Sequence, residues 1–212
     1  MAYLRPPSRQ NKDSRLVIGV DEVGRGCLAG PVVAAAVILP ADRPDWVLEV
    51  KDSKKLSAKK RELLASKIRE SSVWSVAEMT PEIIDQFNIL NATLLAMHRA
   101  VLSVFQIAKQ ERDLSVEDFL VLVDGNQNIP DLTFAQKALI GGDNLSKSIG
   151  AASIVAKVYR DNLMKEADTS YPEYGFSKHK GYGTEEHREA IMVYGPCPLH
   201  RKTFRGVYEY VR

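Results

Sequence analysis

The stretch that decides the fold is Leu16-Val17-Ile18-Gly19-Val20-Asp21-Glu22-Val23-Gly24-Arg25-Gly26, which continues through Cys27-Leu28-Ala29-Gly30-Pro31 into Val32-Val33-Ala34-Ala35-Ala36-Val37-Ile38-Leu39. Leu16 to Val20 and Val32 to Leu39 are runs of β-branched and small apolar residues on either side of a glycine-rich turn, the pattern of two adjacent strands. The apolar stretch Cys27 to Pro40 is well short of a bilayer span and contains Gly30 and Pro31, so it reads as a buried strand and not as a membrane helix. Farther along, Phe119 to Val123 is a continuous apolar run ending in Asp124-Gly125, which predicts a strand buried on both faces whose last residue emerges at the sheet edge. Ala138 to Ile140 repeats that pattern before Gly141-Gly142-Asp143, and Val73 to Ala77 is a further strand.

Between the strands the period changes. From Ser57 to Arg69, Leu63, Leu64 and Ile68 recur at helical spacing behind Ser57 as N-cap. Thr80-Pro81 opens another helix in the favoured cap-then-proline order. Beyond Asn91, Leu94, Met97, Val101, Phe105 and Ala108 step by three or four along one face. Ile149 to Met164 is small and apolar, with Lys157, Arg160 and Asp161 on the remaining face, as in a helix packed closely on a sheet. Thr184 caps a helix to about Tyr194 with Glu185 and Glu186 in its first turn. Strands alternating with helices predict an α/β fold: a mixed central sheet flanked by helices, with a helical C-terminal segment over about 166–212. A chain of 212 residues, 45% hydrophobic and 26% charged, fits one domain over 1–212, and the polar, basic residues 1–15 read as a flexible tail without the apolar core of a secretory signal. The absence of heptads makes a monomer the expectation.

The chemistry starts from acids at strand ends: Asp21 with Glu22, Asp124 and Asp143. Converging carboxylates repel one another unless a proton or cation lies between them. Hard divalent ions such as Mg²⁺ or Mn²⁺ take such oxygen ligands together with substrate phosphate, and a pair of ions could clamp an in-line phosphoryl displacement. Acids at strand ends also serve simply as helix caps, and that reading stands beside the metal one. Successive side chains of a regular strand face opposite ways, so Asp21 and Glu22 share a site only if the strand ends or bulges there, a break expected from Gly24 and Gly26. The same turn is either an ordinary hairpin or a place where backbone amides approach a ligand, with Arg25 offering a forked donor for phosphate.

Twenty-nine Lys+Arg against 27 Asp+Glu give +2, with a pI near 8.4, which argues against a simple basic nucleic-acid coat. Placement says more than the sum. Lys51, Lys54, Lys55, Lys59, Lys60 and Arg61 form one basic run and Lys178, Lys180, Arg201, Lys202 and Arg205 another, with Tyr182 between glycines beside the second, a combination suited to a groove that tracks a phosphate backbone. His179, His187 and His200 lie near Cys197 without the paired spacing of a zinc site, and His200-Arg201-Lys202 is expected to contact phosphate. Only two cysteines, far apart, point to a reducing, cytoplasmic compartment.

Val20-Asp21-Glu22-Val23-Gly24-Arg25-Gly26, followed by Leu28-Ala29-Gly30-Pro31-Val32, resembles ribonuclease HII, the type 2 ribonuclease H of bacteria. Asp52-Ser53-Lys54-Lys55-Leu56, Asn88 to Thr93, Val123 to Asn126, Ala151 to Val158 with Arg160-Asp161, and His179 to Thr184 look like further blocks of that family in the family's order, over about Leu16 to Phe204. The resemblance implies a ribonuclease H-like fold. It also implies an endonuclease that hydrolyses the RNA strand of RNA/DNA hybrids and incises 5′ of ribonucleotides embedded in duplex DNA, using two Mg²⁺ or Mn²⁺ ions and leaving 5′-phosphate and 3′-hydroxyl ends. On the family's pattern Asp21, Glu22, Asp124 and Asp143 hold the metals. Gly24, Arg25 and Gly26 contact ribose and phosphate, and Tyr182 packs on the neighbouring deoxyribose. Asp143 sits in Gly-Gly-Asp where the family more often has Lys-Gly-Asp, and Asp161 is its rival, although salt bridging along the helix or to Arg160 is the expected role of Asp161. Arg25 favours this type over the related HIII enzymes, which usually carry Lys there. A sliding-clamp docking peptide is not evident. A junction resolvase on the same sheet and a non-catalytic hybrid-binding module are the alternative readings.

Overall fold

β2 (Val32–Ile38) is the packing centre, because every one of its residues is buried. In this computed structural model, which describes residues 15–111 and 113–211, it is joined by β1 (Leu16–Val23), β3 (Val73–Met79), β4 (Phe119–Asp124) and β5 (Ala135–Leu139) in one sheet of order β3-β2-β1-β4-β5. The stretch read as a tail, 1–15, lies outside the described residues except for Arg15. β1, β2 and β3 pair antiparallel, whereas β1–β4 and β4–β5 are parallel. The sheet is therefore mixed, as expected, and β1 joins its two halves.

Alternation along β2 divides the core. Val32, Ala34, Ala36 and Ile38 face a cluster built with Ala92, Ala96, Ala100 and Val104 of α2 (Pro81–Glu111). Val33, Ala35 and Val37 face α1 (Ala58–Ser71) and α4 (Lys147–Ser170). Residues 81–110 of α2 are long enough to span a bilayer and contain an 18-residue window of mean hydropathy 1.2. Its Ala-rich stripe instead packs on the sheet, and the helix is interrupted at Asn88 (φ 65°), whose side-chain oxygen accepts the N–H of Asn91 at 3.1 Å and restarts the helix.

β5 departs from the expected strand buried on both faces. It lies at the sheet edge, and none of its residues is buried, because the adjacent Gln136 and Lys137 put polar groups on both faces and the strand pairs on one side alone. Asp143 does not end that strand either; it belongs to the one-turn α3 (Gly142–Leu145) that follows.

Past Ser170 the chain forms α5 (Phe176–His179) and α6 (Glu185–Tyr194) and folds back on the β1–β2 connection. Phe176, Ile191, Cys197 and Val207 bury Leu28, Ala29 and Met164 in a third cluster. On the other side, α4 crosses β1 so closely that a Cβ on Gly19 would lie 2.1 Å from the backbone carbon of Ser148. Gly19→Ala is expected to destabilise the fold by about 1–3 kcal/mol or more, as backbone and not a flexible side chain must yield; urea denaturation that finds the variant as stable as the parent would refute this close approach.

Candidate active site

Asp21 lies on the α4 side of β1, the side of Gly19, and is 6% exposed. β1 does not end before Glu22, contrary to expectation: its pairing to β2 runs to Val23, but its pairing to β4 stops at Val20. The Glu22 N–H, released from the ladder, donates to Oδ1 of Asp21 at 2.7 Å. β4 ends one residue later, at Asp124, so Asp21 and Glu22 both meet the field of Asp124 from the last turn of strand.

Burial is the largest cause holding the Asp21 carboxyl well above its ordinary range, followed by the charge of Glu22; a hydrogen bond with Ser153 opposes both. Burial also raises Glu22, against the pull of Arg25, whose Nη1 stands 3.4 Å from Glu22 Oε1. Asp124 Oδ1 accepts the Gly142 N–H at 2.7 Å, which ties α3 to the end of β4. Asp143, next in α3, is raised by burial, then by Asp52 and Asp124. Asp161 instead pairs with Lys157 at 2.7 Å, one turn back on α4. Asp143, by contrast, lies in the field of Asp124.

Among the described residues, no three acidic, histidine or cysteine side chains already stand in a chelating arrangement. What the cluster provides is hard oxygen donors carrying negative charge that the chain leaves largely uncompensated, and that donor set fits a divalent cation of the Mg²⁺ class. Two contributors escaped the strand-end reading. Asp52, counted within a lysine run, reaches Asp143, and Ser153 connects Asp21 to Ser53, their hydroxyls 2.9 Å apart and buried. Both serines lie in family-like blocks, the one signal that could have marked them.

The other wall is the turn after β1. Gly24 adopts φ +92°, and a Cβ there would strike Nε of Arg160 at 2.2 Å. Arg25 and Gly26 are exposed. Gly26 differs from Gly24: its φ is ordinary and a Cβ would meet nothing within 4 Å, so the space above it is left to something outside the chain. Tyr182, 40% exposed, is joined to this turn through an antiparallel bridge with Cys27, and Lys157 stands 5.9 Å from its ring centre.

Neighbouring histidines secure Tyr182. Cys197 N–H donates to Nδ1 of His200 at 3.0 Å. The His200 proton therefore sits on Nε2 and is donated to Nε2 of His187, also at 3.0 Å. That leaves His187 Nδ1–H to donate to the Tyr182 carbonyl at 2.9 Å. These imidazoles are neutral, each lowered to about 4 mainly by burial. His200 and Arg201 are 1% and 0% exposed, so neither contacts phosphate as expected; of that triplet only Lys202 is at the surface.

Two outcomes follow from these ionisations. A carboxyl raised in the folded state costs stability as pH climbs through its folded value, so without divalent ions Asp21→Asn should melt higher than the parent at pH 7.5, each kcal/mol being about 2–4 °C for a chain of this size. Mn²⁺ should then raise the melting point of the parent more than that of the variant; equal responses would separate Asp21 from the cation site. For the histidines the sign is opposite. Unfolded imidazoles take protons near pH 6.5 that the folded pair refuses until about 4, so stability falls as pH drops across that window. His187→Gln should flatten this fall, and an unchanged slope in calorimetric scans would contradict the neutral relay.

Comparison with known proteins places the chain and its fold in a family. Residues 18–207 match the family described as Ribonuclease HII. The Ribonuclease HII of Endomicrobium trichonymphae is 48% identical over 202 residues, 95% of this chain and 90% of that protein. That of Pelodictyon phaeoclathratiforme is 51% identical over 194 residues, covering 90% of this chain and 89% of that protein. The crystal structure of the ribonuclease H2 from Pyrococcus horikoshii OT3 superposes with a TM-score of 0.70 at 26% identity, over 92% of this chain and 96% of that chain. With the sheet order, the acids at the ends of β1 and β4 and the open turn after β1 in place, the chain belongs to the ribonuclease HII family.

Proposed function

We propose that this chain cuts the RNA strand of RNA/DNA hybrids and also incises 5′ of single ribonucleotides embedded in duplex DNA, leaving 5′-phosphate and 3′-hydroxyl ends. Membership in the family makes it a metal-dependent endonuclease of the ribonuclease H type; the finer reading concerns how it finds ribose. The observation that carries it is Gly26, exposed, unstrained and facing open space, four residues beyond Glu22. Only an outside group that must come within backbone contact gives that glycine a purpose. A ribose 2′-hydroxyl, the mark that separates RNA from DNA, is such a group.

In this reading Asp21, Glu22, Asp124 and Asp143 hold two Mg²⁺ or Mn²⁺ ions. When bound, the ions supply a lowered pKa for the attacking water and neutralise charge on the departing 3′ oxygen. The chain's own work is positional. Ser153 and the Glu22 N–H fix the Asp21 carboxylate, and Gly142 fixes that of Asp124. Arg25 and the amides of its turn meet the ribose and its phosphate. The Tyr182 ring, anchored from below by His187, packs on the next sugar and favours a deoxyribose there. With both cysteines free and buried, a reducing cytoplasm suits the enzyme.

Duplex DNA carrying one ribonucleotide, incubated with the protein in Mg²⁺ or Mn²⁺, tests this directly. Incision on the 5′ side of the ribose is expected, with none in the all-DNA duplex. Asp124→Asn should slow it by more than about 100-fold, and Tyr182→Ala should lower junction incision without weakening Mn²⁺ binding. Cutting of all-DNA junctions at a comparable rate would favour a resolvase instead.

A further inference from the structure

Two arginines, Arg160 and Arg201, are completely buried, and neither pairs with a carboxylate among the described residues. Both spend their donors on backbone carbonyls. Arg201 donates from Nη2 to Gly24 at 2.6 Å and Gly30 at 3.0 Å, from Nη1 to Arg25 at 2.8 Å, and from Nε to Gly30 at 3.1 Å. Arg160 donates to Pro31, Lys180 and Ala29 at 2.9, 2.8 and 2.9 Å. Five carbonyls from residues 24–31 thus point inward onto two cations.

The peptide group turns this into a statement about the outer surface. In a planar trans peptide the carbonyl of one residue and the N–H of the next point in opposite directions. Lys180–Gly181 displays the rule here: the Lys180 oxygen meets Arg160, while the Gly181 N–H points away to His179 Nδ1 at 3.2 Å. Ala29–Gly30 does so too, with its oxygen on Arg160 and the Gly30 N–H on the Leu199 carbonyl at 2.8 Å. Applied to the peptides Gly24–Arg25 and Arg25–Gly26, whose oxygens are both held by Arg201, it turns the N–H groups of Arg25 and Gly26 outward. Neither N–H has an acceptor among the described residues.

We propose that Arg201 is a positioning residue for ribose recognition, holding two successive peptides from inside so that the Arg25 and Gly26 amides face the substrate as a fixed donor pair. This rests on the proposed reading of Gly24–Gly26 as the ribose contact. A charged donor on each carbonyl also polarises the peptide and strengthens the opposite N–H. The role requires a planar fork: a lysine ammonium in that space keeps the charge but cannot span the carbonyls of Gly24, Arg25 and Gly30 together. Arg160 does the same for the Tyr182 side, tying Lys180 to Ala29 and Pro31 and so fixing the spacing of the two substrate walls.

The test compares the parent with Arg201→Lys and Arg201→Gln, using duplex DNA with one ribonucleotide and the same duplex without it, in Ca²⁺ for binding and Mg²⁺ for cutting. The parent should bind the ribose-containing duplex more tightly, and Arg201→Lys should lose about tenfold of that preference, two hydrogen bonds' worth, while all-DNA binding and Mn²⁺ binding stay as in the parent. Its kcat/KM at the ribonucleotide should fall by about 100-fold, as for a misplaced contact. A merely structural arginine would weaken binding to both duplexes alike or to neither. Either result, or failure of both variants to fold, would overturn the proposal. A parent that shows no preference for ribose and no incision beside it would instead overturn the proposed function itself.

Discussion

The closeness of α4 to β1 governs the rest of the molecule. No side chain fits at Gly19, so the first turn of the helix rests on the strand's backbone. From that point the two elements run alongside each other in the same direction, with Ser148 at Gly19, Ser153 at Asp21 and Arg160 at Gly24. At 1.5 Å per helical residue Ser153 lies about 7.5 Å beyond Ser148 along α4; at 3.3 Å per strand residue Asp21 lies about 7 Å beyond Gly19 along β1. The helix therefore acts as a ruler for the strand. A buried hydroxyl reaches the first acid, a buried guanidinium lies under the turn, and their separation is set by two rigid elements and not by a loop.

This arrangement explains which parts of the molecule could be read from the chain alone. β1, β2 and β4 are apolar runs long enough to declare themselves, and the acids near the ends of β1 and β4 follow from where those runs stop, although β1 itself continues to Val23. β5 misled because Ala138 to Ile140 has the composition of a buried strand, whereas burial depends on neighbours that only the sheet order supplies. Asp52 was hidden for a related reason: among lysines it reads as dilution of charge, and its approach to Asp143 requires α3 and the loop before α1 to meet. Lys55 makes that meeting visible, donating to Asn144 at 2.8 Å.

The basic residues near the C-terminus show the same limit more sharply. Sequence places Arg201 beside Lys202 and invites one role for both. Folding separates them completely: Lys202 is at the surface, where its N–H donates to Asp85 at 2.8 Å, while Arg201 is enclosed and Phe204 covers its guanidinium at 5.0 Å. A single sequence has no periodicity to distinguish an arginine that meets phosphate from one that meets carbonyls. The difference lies in the returning C-terminal segment, which closes over Leu28 and Ala29 and carries the side chain inward.

The near-neutral charge count gains meaning from this placement. Arg201 keeps its charge inside the fold even though burial lowers it to about 10, and carbonyl dipoles, not carboxylates, surround both it and Arg160. Positive charge is thus fixed under the turn proposed to meet the ribose and its phosphate. Negative charge is gathered at the ends of β1 and β4, where burial and the charge of Asp124 raise both Asp21 and Glu22, and Glu22 raises Asp21 further. A formal sum of +2 averages two regions of opposite sign a few residues apart. The surface a nucleic acid meets is set by that separation, and divalent ions bound at the acids would add positive charge there that the sum omits.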